Sequence, residues 1–294
     1  MIEIKELSHS FGSKLVLNNI NLTVPDGTIL GLVGINGAGK STLLRLISGV
    51  YESKGKVLYD GKSPDDEETR RDIFFLPDDP YFTSITTPNK LFEFYKAFYP
   101  QTDRAVFDSL IAKYELDPKK NVRNFSKGMR RQVFIALSLA VKPKYLLLDE
   151  AFDGLDPLSR KIFKDAIIKL VEEENTTVII SSHSLRELED FCDRFALIDR
   201  NVIKNQGDIA EHVARLCKFE LAFTNEIKRA DFANLPIVSL EIKSRFATIV
   251  LEGDKDEMRS RLEALNPAVM DEMPLDFEET FIHDVESGKE NELC

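Results

Sequence analysis

Apolar and polar positions alternate with a period of two over residues 15–24, in Leu15-Val16-Leu17 and again in Ile20-Asn21-Leu22-Thr23-Val24. A turn at Pro25-Asp26-Gly27 then leads into a continuous apolar run over 28–33. Alternation predicts a half-buried strand, and a short continuous run predicts a strand buried on both faces. Over residues 41–48 the period becomes helical, with Leu43, Leu44, Leu46 and Ile47 on one face and Gly49 placed to end the helix. Further apolar runs at 145–148, 177–180 and 195–198 alternate with amphipathic segments at 157–174 and 185–192. Strands alternating with helices predict a mainly parallel sheet covered on both faces. Two helical segments between 88 and 116 have no strand between them, which predicts a helical insertion over about 80–140. From residue 216 the rhythm shifts to short strands at 219–223, 238–242 and 247–251, interleaved with acidic helical segments at 227–234 and 254–265. The expected organisation is a large domain over 1–215 and a small acidic α+β accessory domain over 216–294.

A chain of 294 residues, 43% hydrophobic and 30% charged, has ample material for such a core and appendage. Its longest apolar stretch, residues 133–141, is far short of the roughly 20 residues that cross a bilayer. No basic segment followed by an apolar one opens the sequence, so a cytoplasmic location is expected. Cys192, Cys217 and Cys294 show no paired spacing and read as reduced thiols. Residues 216–294 carry 18 acidic and 9 basic side chains, which places −9 of the net −11 in the accessory domain. Neither domain has a basic excess, so nucleic acid is not an expected partner.

Residues 34–42 read GINGAGKST, a GxxxxGK[ST] loop lying between an apolar strand and a helix, where its chemistry requires it. Gly34, Gly37 and Gly39 let the backbone curl so that amides, together with those of Asn36 and Ala38, face nucleotide phosphates. Lys40 is placed to bridge the β- and γ-phosphates, Ser41 to ligate Mg²⁺ and Thr42 to contact the α-phosphate. A second apolar strand, Tyr145-Leu146-Leu147-Leu148, ends in Asp149-Glu150. Carboxylates at the C-terminal edge of a parallel sheet lie where ligands bind; Asp149 would hold Mg²⁺ through water and Glu150 would act as general base on the attacking water. Together these motifs describe a nucleotide hydrolase.

Residues 125–132, Phe-Ser-Lys-Gly-Met-Arg-Arg-Gln, narrow the family, because here the chain resembles the ATPase subunits of ABC transporters. That family's signature usually reads LSGGQ; Ser126 and Gly128 match it, while Phe125, Lys127 and Met129 depart, and Ser-Lys-Gly-Met resembles the variant in multidrug and antibiotic exporters. Gly154-Leu155-Asp156 corresponds to the family's D-loop, and His183 to its switch histidine at the γ-phosphate. Phe11 falls where the family stacks an aromatic on adenine, strand packing being the alternative. Asp78 stands where the family has a glutamine that reaches Mg²⁺ and the attacking water; a carboxylate can also ligate magnesium.

The resemblance covers about residues 1–215 and implies an α/β fold: a P-loop NTPase with a mixed sheet flanked by helices, an antiparallel β subdomain, a helical subdomain and the small C-terminal domain. It further implies that ATP and Mg²⁺ are bound, that Ser126 and Gly128 complete the site of a second ATPase subunit in a homodimer or heterodimer, and that a separate membrane permease is driven in the sense of export. Residues 274–282 look like the C-terminal extension of bacterial drug-export ATPases. For the acidic domain, dimer contacts, regulation and a merely solvated face all stay open. A soluble ATPase acting on ribosomes or DNA, and a regulatory subunit that binds ATP without turnover, are the competing readings.

Overall fold

The computed structural model describes residues 1–52 and 54–275. The chain forms two compact units, Met1–Gln206 and the part from Gly207 onward. The break thus falls shortly before the change of rhythm at residue 216.

In the first unit β1 (Ile2–Phe11) and β2 (Lys14–Val24) form a hairpin, followed by β3 (Ile29–Val33), α1 (Lys40–Ile47) and β4 (Lys54–Tyr59). β1, β2 and β4 make an antiparallel sheet in the order β2-β1-β4. The alternation expected for 15–24 is seen in β2, but β1 lies outside the sequence expectation. Its period is broken at Glu6, which sits at φ 51, and the register shifts between Ile4 and Leu7. A bulge of this kind inserts one residue and moves later side chains to the other face, so Leu7 is buried with Ile2 and Ile4 although it stands three residues after Ile4.

The central sheet adds β5 (Ile73–Leu76), which follows the short α2 (Glu67–Asp72), and then β6 (Tyr145–Leu148), β7 (Thr177–Ser182), β8 (Arg194–Asp199) and β9 (Val202–Asp208). Its order is β5-β6-β7-β3-β8-β9, with β5/β6, β6/β7, β7/β3 and β3/β8 parallel. Every residue of β3, β6 and β7 is buried, as their continuous apolar runs require. The apolar stripe of α1 joins Leu30 and Leu32 of β3 and the inward residues of β1 and β2 in one core. Fully burying each such leucine or isoleucine contributes about 1.5–3 kcal/mol, which fixes α1 rigidly behind the loop that precedes it.

Between β5 and β6 lies the helical insertion, α3 (Pro88–Phe98), α4 (Arg104–Lys113) and α5 (Lys127–Ala140). After β6 comes α6 (Pro157–Glu174), whose ends are those the sequence predicts: Asp156 caps Ser159 N–H at 2.9 Å, Pro157 occupies the first turn and Asn175 stops the helix at φ 54. α7 (Leu185–Glu189) is shorter than the expected 185–192.

In the second unit α8 (Ile209–Ala214), capped by Asp208, precedes β10 (Leu216–Ala222), β11 (Ile237–Lys243), β12 (Phe246–Glu252), α9 (Lys255–Glu263) and β13 (Val269–Met273). The strands pair antiparallel in the order β11-β12-β10-β13 over a core of Phe219, Phe232, Ile249, Leu251 and Leu262. The helix expected over 227–234 is reduced to a 3-10 turn, Arg229–Phe232, because Pro236 restrains the preceding residue to extended backbone. Most of the 274–282 segment, from residue 276 on, lies outside the described residues, as does Cys294; Cys192 and Cys217 are buried free thiols. Among the described residues, no helix is long and apolar enough to cross a membrane.

Candidate active site

β6, β7 and β3 are neighbours in the sheet, so the chain leaving each of their C-terminal ends delivers one part of a site: Asp149-Glu150 after β6, His183 after β7 and the phosphate loop after β3. Gly37 and Gly39 hold φ of 83 and 111, a region closed to most side chains, and a Cβ on Gly39 would come within 2.8 Å of Leu17. No side chain caps α1, so its first N–H groups are left for a ligand. At the tip Ile35 is 72% exposed, and Asn36 and Gly37 are exposed beside it. Lys40 is buried and donates to the Gly34 carbonyl at 2.7 Å, which straps the loop closed and aims the ammonium inward.

Lys40 also stands 3.3 Å from Glu150 Oε1, and Glu150 Oε2 lies 3.0 Å from His183 Nδ1. The three residues expected to be catalytic are therefore brought into one contact chain. Glu150 occupies φ 45, uncommon for a residue with a side chain, and its N–H donates to Ser181 Oγ at 2.9 Å. Asp153 joins Glu150 and His183 in a cluster whose ligand atoms lie within 4.8 Å of one another.

Asp149 is fully buried. Its Oδ1 accepts from Ser41 Oγ and Ser181 Oγ, both at 2.9 Å, while Oδ2 is buried without a hydrogen-bond partner. An orphaned carboxylate oxygen beside a serine hydroxyl is a hard oxygen donor set, and it fits Mg²⁺. Burial pushes the Asp149 carboxyl above its usual range, with the two serine hydroxyls pulling the other way. A carboxyl raised in the folded state gives stability at low pH that is lost as pH rises through its folded value, so burying this group costs the nucleotide-free protein stability at neutral pH. Asp149→Asn is accordingly expected to raise the melting temperature at pH 7 while removing Mg²⁺-dependent hydrolysis. Thermal melts and phosphate release check both, and a lowered melting point would contradict the burial argument.

Ser181 was not singled out from the sequence, although it ties Asp149 and Glu150 together. The only available signal is a pair of hydroxyls, Ser181-Ser182, ending an otherwise apolar strand.

Phe11, 49% exposed, meets His9 and Tyr51 edge-on with ring centroids 4.7 and 5.8 Å away, which leaves a ring face for a ligand. One stacked ring is worth about 1 kcal/mol, so Phe11→Ala is expected to raise the KM for ATP about fivefold with kcat unchanged. A steady-state titration checks this.

Ser126 and Gly128 open α5. The Ser126 hydroxyl caps Met129 N–H at 3.2 Å and is exposed, and Phe125 is buried in the role a leucine would fill. A Cβ on Gly128 would fall 2.4 Å from the Gly154 carbonyl oxygen, so the signature and the D-loop are in backbone contact. Gln132 Nε2 donates to Ser159 Oγ at 2.7 Å, and that hydroxyl donates to Asp156 at 2.6 Å, a second tie between the same segments. Among the described residues, no hydrogen bond joins residues 126–128 to the phosphate loop of the same chain.

Asp78, expected beside the metal, makes no hydrogen bond to Ser41 or Asp149 among the described residues. Its Oδ1 accepts from Arg131 Nη2 at 2.5 Å instead.

A family model described as "ABC transporter" matches residues 17–153. The ABC transporter ATP-binding protein YtrB of Bacillus subtilis is 32% identical over 288 residues, covering 96% of this chain and 97% of that one. The lantibiotic transport ATP-binding protein SrtF of Streptococcus pyogenes is 28% identical over 228 residues, 76% of this chain and 98% of that one. Among solved structures, an ATP-binding subunit of an ABC transporter superposes with a TM-score of 0.66 at 26% identity, over 72% of this chain and 91% of that one.

Proposed function

The chain belongs to the ATP-binding proteins of ABC transporters and hydrolyses ATP with Mg²⁺, and on that premise we propose that two such subunits close head to tail around ATP and drive a separate membrane permease in the export direction. The observation that carries the pairing is that both halves of the site face solvent: the phosphate-loop tip at Ile35 is 72% exposed, and the Ser126 cap of α5 is exposed and makes no bond to that loop. A γ-phosphate held by one subunit's loop offers oxygens to the other subunit's α5 N-terminus, where the hydroxyl and amides of Ser126 and Gly128 wait. Hydrolysis removes those shared contacts and lets the pair part, which is how bound nucleotide shifts a two-state equilibrium.

Within one site the roles follow from position. Lys40 and the loop amides orient the phosphates, and Glu150 takes a proton from the attacking water. His183 holds the Glu150 carboxylate in place and lies at the γ-phosphate end. Ser41 and Asp149 would hold Mg²⁺, which would supply positive charge to offset that of the phosphates.

The permease would dock on the helical insertion, where Phe94 and Phe98 of α3 are 59% and 61% exposed and lie 5.1 Å apart. This places the subunit in the cytoplasm, at the inner face of the membrane. Export is supported by the Ser-Lys-Gly-Met signature and by the similarity to SrtF, a lantibiotic transport protein. The test is whether the tagged chain co-purifies with a polytopic membrane protein, followed by ATP-dependent transport in vesicles. Co-sedimentation with ribosomes, or no membrane partner, would sink the reading.

A further inference from the structure

Asp78 stands where a glutamine is usual in the family, and the side chain that engages it comes from the signature helix. Arg131 lies in the second turn of α5 with its side chain 2% exposed. A guanidinium has five N–H donors and no acceptor, so a buried one needs several oxygens in a fixed arrangement. Arg131 finds them in a single stretch of chain: Nη1 donates to the Pro77 carbonyl at 3.1 Å, and Nη2 donates to both the carbonyl and the carboxylate of Asp78. That stretch directly follows β5, while α5 lies at the far end of the helical insertion. The pair therefore joins the two points where the insertion meets the central sheet.

We infer that Asp78 and Arg131 form a latch that positions the signature end of α5, with Arg131 as the positioning residue and Asp78 serving hydrolysis through it rather than through the metal. The neighbouring residues favour this assignment. Gln132 points about a quarter turn away and ties the same helix to Ser159 at the start of α6, and Gly128 rests on the Gly154 backbone. The first turns of α5 are thus held from two sides, by the D-loop and by the loop after β5. If the second hold is released, Ser126 and Gly128 remain present but are presented less accurately. Asp78 is itself about half exposed, so water can solvate the carboxylate when Arg131 is removed, whereas Arg131 has no such recourse. The two single substitutions are therefore unequal.

The experiment measures ATPase kinetics, Mg²⁺ dependence and melting temperature of the full chain for Asp78→Gln, Arg131→Gln and the double variant. Misplacement of reacting groups by about 1 Å can cost about a hundredfold, so each single change is expected to lower kcat about tenfold or more, with KM for ATP and the half-saturating Mg²⁺ concentration unchanged. In the double variant the two amides can hydrogen-bond to each other, and kcat is expected to recover most of the loss, a positive coupling in the double-mutant cycle. Arg131→Lys keeps the charge but not the fork, and should recover only part. Should Arg131→Gln not fold, Asp78→Asn with Arg131→Lys closes a second cycle. The inference is overturned if Asp78→Gln raises the half-saturating Mg²⁺ concentration while Arg131 variants keep wild-type kcat, or if the two losses simply add.

Discussion

Glu150→Gln is expected to lower kcat for ATP hydrolysis about 10²- to 10⁴-fold, the range a general base contributes, while ATP binding is retained or tightened. The amide is isosteric with the carboxylate and can keep the 3.0 Å contact to His183 Nδ1 and the backbone bond to Ser181, so the unusual φ of 45 is undisturbed. It cannot take a proton from water. Two electrostatic consequences follow. The ion pair to Lys40, 3.3 Å long, is lost, which frees the ammonium for phosphate, and one negative charge is removed from beside the γ-phosphate. The proposed pairing adds a second readout: with hydrolysis blocked, ATP should accumulate the head-to-tail pair, visible as a doubling of mass in sedimentation. Phosphate release and fluorescent-nucleotide binding separate the cases. Loss of both would make Glu150 a structural residue, and retained turnover would remove it from catalysis.

Gly128→Val is expected to cut ATPase activity about a hundredfold and to destabilise the chain. A Cβ at this position meets the Gly154 carbonyl oxygen at 2.4 Å, a backbone atom that cannot rotate away. Two opposing effects decide the sign. Replacing glycine inside a helix ordinarily stabilises it by roughly 0.5–1 kcal/mol, whereas overpacking costs about 1–3 kcal/mol. The overpacking term wins even for alanine, so Gly128→Ala should also lower the melting temperature, against the usual trend for such exchanges. The steric push separates α5 from the D-loop, and displacement of that size explains a hundredfold loss in rate. Nucleotide binding to a single subunit should hardly change, because residues 126–128 make no bond to their own phosphate loop. A variant with normal activity would mean that Gly154 yields freely and that the contact has no role in the mechanism.

Much of the site was legible because its chemistry is local. A glycine loop, a lysine and two hydroxyls within residues 34–42 carry the phosphate chemistry in one short segment, and Asp149-Glu150 follow an apolar run that can only be a buried strand. α6 was legible to the residue, since Asp156, Pro157 and Asn175 each act on the backbone beside them. β1 was not, because the bulge at Glu6 resets a period that sequence reading assumes to be constant. The 227–234 segment has helical spacing but only four residues turn, Pro236 being too near.

The sequence by itself determined which residues are candidates for the chemistry: a glycine loop with a lysine and two hydroxyls, two carboxylates ending an apolar strand, and a serine and glycine opening a helix, each set close together in the chain. Tertiary structure decided how they combine. Only the order β6-β7-β3 brings Glu150, His183 and Lys40 into contact, and only there does Ser181 acquire its part in holding both carboxylates. The fate of Asp78 was decided the same way. Read alone it is a carboxylate free to meet magnesium, but a buried guanidinium 53 residues further on pairs with it, the one carboxylate it bonds among the described residues, and the cost of leaving that charge unpaired favours this partner for Asp78.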